Sequence, residues 1–149
     1  MRLLFDASAL LNIIKLKGPN ALKYIKGKCT LSLTPYEIGN GLWKEATLLK
    51  TISIDKALQL LDCIEKAYRV LDIIEPESRV NVLRLAHELK ITYYDSSYIV
   101  AAAENNLVFV TDDDKLLKKI IDQRKCIEEI LGKNIRFMKT EDLLKVYNE

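Results

Sequence analysis

Hydrophobic and polar positions along the chain switch repeatedly between two periods: short unbroken apolar runs alternate with longer segments in which apolar residues recur every three or four positions. Leu3, Leu4 and Phe5 open the pattern, and a continuous run of this kind suits a central parallel strand covered on both faces. The helical spacing of Ala7, Leu10, Leu11 and Ile14 follows directly, so Asp6 falls at the turn from strand to helix. Gly18 and Pro19 stop this helix near Lys17, and a short helix is predicted from Asn20 to Lys26. Cys29 to Leu33 reads as a second strand. Thr34-Pro35-Tyr36-Glu37 then predicts a helix start, with Thr34 as N-cap, Pro35 in the first helical position and Glu37 as the capping-box acid. Ile38, Leu42, Ala46 and Leu49 form its apolar stripe, and Gly39 and Gly41 leave room for another backbone.

A second long helix is predicted from Ser53 to Arg69, with Ile54, Leu58, Leu61, Ile64 and Tyr68 facing the core. Val70 to Ile74 reads as a strand and Glu77 to Lys90 as a helix introduced by Pro76. Ile91 to Tyr94 are expected to be extended, with Asp95 starting an Ala-rich helix. Leu107 to Val110 is a fully apolar strand, followed at once by Thr111-Asp112-Asp113-Asp114 and helical spacing that runs to Gly132. Ile135 to Met138 reads as a last strand, and Thr140 as the cap of a C-terminal helix with Leu143, Leu144 and Tyr147 inward. The alternation predicts one domain over residues 1–149: a three-layer α/β/α sandwich around a mainly parallel sheet of about five strands, with a protruding helical pair at about 36–69.

Composition narrows the classes. The chain has 149 residues, 49% hydrophobic and 30% charged, with 5 Gly and 3 Pro, which suits one packed core and argues against extended disorder. Its 23 basic and 21 acidic residues leave a net charge of +2, too balanced for strong non-specific attraction to nucleic acid. No apolar run approaches the ~20 residues needed to span a bilayer, so a cytoplasmic protein without a membrane partner is expected. Cys29, Cys63 and Cys126 are isolated, which fits neither a disulfide framework nor a zinc site.

Four acids stand out by position: Asp6 after the first strand, Glu37 and Asp95 at helix starts, and Asp113 after the Leu107–Val110 run. In a parallel sheet, strand ends share one edge, so acids at strand-to-helix junctions are expected to converge in one small pocket. Clustered carboxylates repel by a few kcal/mol per close pair and need protons or a divalent cation to offset the repulsion. Oxygen-only ligands select Mg²⁺ or Mn²⁺, which serve phosphodiester chemistry. Each acid also has a plainer reading: Asp6 and Asp95 as N-caps, Glu37 as a capping-box partner, and Asp112 or Asp114 as caps beside Asp113.

The order Asp6-Ala7-Ser8 after an apolar strand, Glu37 in a Pro-started helix, Tyr94-Asp95 opening an Ala-rich helix, and Val110-Thr111-x-Asp113 resembles PIN-domain nucleases. Length and element order are similar to VapC-type toxins over essentially the whole chain. The resemblance implies that Asp6, Glu37, Asp95 and Asp113 form an acidic quartet that is both catalytic and metal-ligating. Ser8 and Thr111 would be supporting hydroxyls, and Asp112 and Asp114 a cap, an outer acid or an additional ligand. The implied activity is Mg²⁺- or Mn²⁺-dependent endoribonuclease hydrolysis that leaves a 5′-phosphate. The implied partners are an RNA substrate, an antitoxin protein and a second copy of the chain.

Lys115 is the basic residue placed best to meet an RNA phosphate, whereas Lys15, Lys17, Lys23, Lys26, Lys28, Lys118 and Lys119 read more readily as solvated helix faces. Tyr36, Trp43, Tyr93 and Tyr94 flank the acids, either stacking bases or filling core and dimer contacts. A phosphorelay receiver would need a second acid beside Asp6, which the chain lacks. A nuclease of RNA processing or structured DNA and a PIN-like scaffold that binds without cutting remain as alternatives.

Overall fold

In a computed structural model that describes residues 1–148, five short strands form one sheet in the order β3-β2-β1-β4-β5, with every neighbouring pair parallel. The strands are β1 (Leu3–Phe5), β2 (Cys29–Leu31), β3 (Asp72–Ile74), β4 (Val108–Val110) and β5 (Arg136–Met138). β1 is central, with Leu4 opposite Cys29 on one side and Phe109 on the other. Helices α1 (Ala7–Lys17), α2 (Leu22–Ile25), α3 (Thr34–Trp43), α4 (Ile54–Tyr68) and α9 (Thr140–Asn148) supply one layer. Helices α5 (Arg79–Leu89), α6 (Tyr93–Glu104), α7 (Asp114–Asp122) and α8 (Arg124–Leu131) supply the other.

The continuous apolar run of β1 divides between these layers as expected for a strand covered twice. Leu3 and Phe5 pack with Ile13, Ile38 and Val110, while Leu4 packs with Leu31, Ile99 and Phe109. All three are fully buried, and each contributes about 1.5–3 kcal/mol of burial free energy. The strand order runs outward from β1 in both directions, so the topological switch point lies between β1 and β4. A crevice opens at the carboxyl ends of the strands at such a point.

Several local expectations are corrected. The α4 face turned to the core carries Ala57, Leu60, Ile64 and Ala67, while Ile54 and Leu58 are exposed. The exposed side of α4 carries Asp55, Lys56, Gln59, Asp62, Glu65 and Lys66 as well as Ile54 and Leu58, and the alanines of the buried side let it lie close on α1. Leu49 is likewise exposed, beyond a π-helical turn (Lys44–Leu48) that continues α3. Residues 91–92 form no strand: the Thr92 side chain accepts from the Asp95 N–H at 3.0 Å, so α6 begins at Tyr93 and Asp95 is its third residue. Thr34 does not cap α3. Its hydroxyl is turned inward, 2.8 Å from Thr30 Oγ1 and 2.6 Å from the Tyr98 hydroxyl. Thr140 does not cap α9 either, since its buried hydroxyl has no partner and Asp112 accepts from its backbone N–H instead. A Cβ added at Gly39 or Gly41 would meet nothing within 4 Å, so neither glycine admits a close backbone.

Candidate active site at the carboxyl rim of the sheet

Asp6 leaves the end of β1 and caps α1. Its Oδ1 accepts from the Ala9 N–H at 2.9 Å and from the Ser8 hydroxyl at 2.7 Å, and its Oδ2 accepts from Thr111 Oγ1. Ser8 in turn accepts from the Asp112 N–H at 3.0 Å, and Thr111 from the Asp113 N–H at 3.2 Å. The ends of β1 and β4 are therefore wired together across the switch point. Asp6 is 6% exposed, and burial pushes its carboxyl up to about 7 against the lowering effect of these donors, with Asp95 raising it further.

The other two acids come from helices. Glu37 lies in the first turn of α3, where its Oε1 accepts from the Tyr98 hydroxyl at 2.8 Å. Asp95 lies in the first turn of α6. Both carboxyls are raised, Glu37 first by burial and then by Asp95, and Asp95 first by burial and then by Asp113. Asp95 is thus the one acid that feels or influences each of the other three. None of the four takes part in a salt bridge among the described residues.

The expected tight pocket of four carboxylates is looser than the sequence suggested. Among the described residues, no three His, Cys, Asp or Glu side chains stand close enough to form a ready metal cage. The physical reason is that three of the four acids are turned to protein donors: Asp6 to the two hydroxyls and Ala9, Glu37 to the Tyr98 hydroxyl, and Asp113 to the Leu116 N–H at 3.1 Å as the cap of α7. Capping and clustering are therefore not alternatives here. The donor set, all oxygen and without a paired cation, fits a hard divalent ion.

Neighbouring residues separate from this group. Asp112 accepts from Asn12 Nδ2 and from the Thr140 N–H, both at 2.8 Å, and so ties α1 to α9. Asp114 pairs with Lys139 at 2.7 Å on the surface. Lys15 pairs with Glu45, Lys119 donates to the Leu89 and Lys90 carbonyls, and Lys17 and Lys23 lie over the Tyr24 ring. Lys115 is exposed on the first turn of α7 and makes no salt bridge among the described residues.

One residue of this region carried no mark in the sequence. Tyr98 is 1% exposed and stacks on Phe109 at 5.9 Å, yet its hydroxyl joins Thr34 to Glu37 and continues through Thr30 to the Phe5 carbonyl. Burial and the Glu37 charge push the phenol upward, so it stays protonated and donates. The available signal was a tyrosine rather than phenylalanine on the buried face of α6, since a buried phenol needs a partner.

Comparison with known proteins gives this rim a context. The family model for the PIN domain matches residues 3–121. Exonuclease VapC9 of Pyrobaculum aerophilum is 38% identical over 119 residues, spanning 78% of this chain and 84% of that protein. The solved structure of PAE2754 from Pyrobaculum aerophilum superposes with a TM-score of 0.75 at 28% identity, covering 100% of this chain and 97% of the other. The parallel α/β fold is thus shared with a solved structure along the whole chain. The chain belongs to the PIN-domain family, as a nuclease of the VapC type.

Proposed function

We propose that this protein is a divalent-metal-dependent endoribonuclease and acts as the toxin of a type II toxin–antitoxin pair. The observation that carries the reading is the placement of the four acids around the switch point: Asp6 is tied to Ser8 and Thr111, Thr111 to the Asp113 N–H, Glu37 and Asp95 lie in the first turns of α3 and α6, and none of the four makes a salt bridge among the described residues. Asp6, Glu37, Asp95 and Asp113 would hold Mg²⁺ or Mn²⁺. Such an ion activates water for in-line attack on a phosphodiester and neutralises charge on the phosphoryl oxygens.

The chain's own residues do the rest. Ser8 and Thr111 fix the orientation of the Asp6 carboxyl from two sides, and Tyr98 holds Glu37. Lys115, next to the Asp113 cap, would meet a substrate phosphate. Two adjoining clefts share Leu33 and Tyr94, and the first is lined by Glu37, so a single strand has a surface to follow on that side of the acids. The relative's name says exonuclease, and a closed circular RNA separates the two modes because only an endonuclease can open it.

The partners follow from the same surfaces. An antitoxin segment carrying Arg or Lys would offset the acidic rim. An apolar slot between α3 and α4, lined by Leu42, Trp43, Ile54, Leu58 and Leu61, supports a homodimer, whose mass in solution light scattering would report. Among the described residues no helix is long and apolar enough to cross a membrane. The cytoplasm, where RNA is available as substrate, is the location that goes with this reading.

The test is an RNA cleavage assay of purified protein with Mn²⁺, with Mg²⁺, with EDTA, and with Asp6→Asn. Cleavage that needs the cation and is lost in the variant is expected. Cleavage in EDTA, or full activity of Asp6→Asn, would reject the mechanism.

A further inference from the structure

Tyrosine placement beside the acids supports a more specific statement about the substrate. A cleft of about 490 Å³ adjoins the rim, lined by Leu33, Tyr36, Glu37, Asn40 and Tyr94. Its size falls within the ~300–1,000 Å³ of small-ligand sites. Tyr36 is 82% exposed and Tyr94 59% exposed, so neither ring serves as core filling. Neither stacks on another aromatic ring among the described residues, and the Asn40 amide is exposed without a side-chain hydrogen bond there. Two large rings left open to water around one polar amide and one site acid form a surface built to be covered by something flat and polar at its edge.

We propose that this cleft is a nucleobase subsite. The base of a nucleotide next to the scissile phosphate stacks against Tyr36 or Tyr94 and presents its edge to Asn40. The inference rests on the nuclease reading above and goes beyond it by saying where the substrate is gripped. The position of Glu37 decides the occupant: it belongs to both the acid group and the cleft lining, so a phosphodiester at the acids places an attached base within reach of the rings. Stacking suits a single strand, because its bases are free and every base has a π-face. Beyond Tyr94 the adjoining cleft carries Arg79, which makes no salt bridge among the described residues and can take the next phosphate. The slot with Trp43 and Ile54 shares no lining residue with this cleft.

The test uses the full chain carrying Asp6→Asn, and in parallel the wild-type chain in Ca²⁺, titrated into a single-stranded RNA hexamer containing 2-aminopurine. Anisotropy reports binding and fluorescence reports stacking. Strong quenching on binding is expected. Tyr36→Ala and Tyr94→Ala should weaken binding about tenfold and relieve the quench, whereas Tyr36→Phe and Tyr94→Phe should keep both. Arg79→Gln should lower the slope of log affinity against log salt by about one without changing the quench. RNA bound without quenching, or with affinity and quench unchanged in both alanine variants, overturns the subsite. So does absence of binding in both preparations. The nuclease reading is judged separately, by cleavage of unlabelled RNA by the wild-type protein: cleavage that persists while the quench is absent would leave that reading standing and remove this one.

Discussion

The two halves of the acidic rim are held by different means. On the strand side, Asp6, Ser8, Thr111 and Asp113 sit at the ends of β1 and β4 and fix one another through short hydrogen bonds between adjacent chain segments. On the helix side, Glu37 and Asp95 lie in first turns of α3 and α6, and Glu37 is held by Tyr98, which is 61 residues away in sequence. The spacing of the strand half is set by the buried sheet beneath it, where Phe5 pairs with Val110. The helix half depends on a buried hydroxyl chain, so a change inside the core reaches the rim there.

The largest effect that tests this contrast comes from the strand half. Asp6→Asn should reduce RNA hydrolysis by about 100-fold or more, measured as kcat under saturating Mn²⁺. The same change should stabilise the metal-free protein at neutral pH. The Asp6 carboxyl is raised to about 7 by burial, so its neutral form favours the fold. The stability this supplies is fully present below about pH 4 and is lost as pH rises through about 7, on the order of 4 kcal/mol in all. Thermal melts in EDTA should show this slope in the wild-type protein and its flattening in Asp6→Asn.

The helix half should respond less steeply and in a different way. Tyr98→Phe removes the donor that favours ionised Glu37, so the Glu37 carboxyl rises further and the acid limb of the pH–rate profile moves to higher pH. Activity should fall about tenfold, with a loss of about 1 kcal/mol in stability. An unshifted acid limb would make Tyr98 a packing residue only. A smaller effect is expected where the rim ends. Asp112→Ala should lower stability by about 1–3 kcal/mol through the lost links to Asn12 and Thr140, leaving kcat within about twofold. Asp114→Ala, which removes only an exposed pair with Lys139, should change stability by less than about 1 kcal/mol.

The same contrast explains what could be read from the chain alone. The strand half was legible because Leu3–Phe5 and Val108–Val110 are unbroken apolar runs, and each places the following acid at the sheet's carboxyl edge. The helix half was read only in part. Glu37 and Asp95 both lie in first turns, but Thr92 rather than Asp95 caps α6, so the helix begins two residues earlier than its apolar pattern suggests. Thr34 and Tyr98 look like a cap and a core aromatic in one dimension, and their hydroxyls meet only after α3 and α6 pack. The core face of α4 is hidden in the sequence because Ala57 and Ala67 give a weak hydrophobic signal beside Ile54 and Leu58. The exposed tyrosines could not be sorted from core residues until the cleft around them was formed.

The central claim is that Asp95 links the two halves into a single cation site. A Mn²⁺ titration of the wild-type, Asp95→Asn and Asp112→Ala proteins, followed by electron paramagnetic resonance, tests it most directly. Saturable binding in the wild-type protein and in Asp112→Ala, weakened at least about tenfold in Asp95→Asn, is the predicted result. Equal Mn²⁺ affinity in all three proteins would contradict the account.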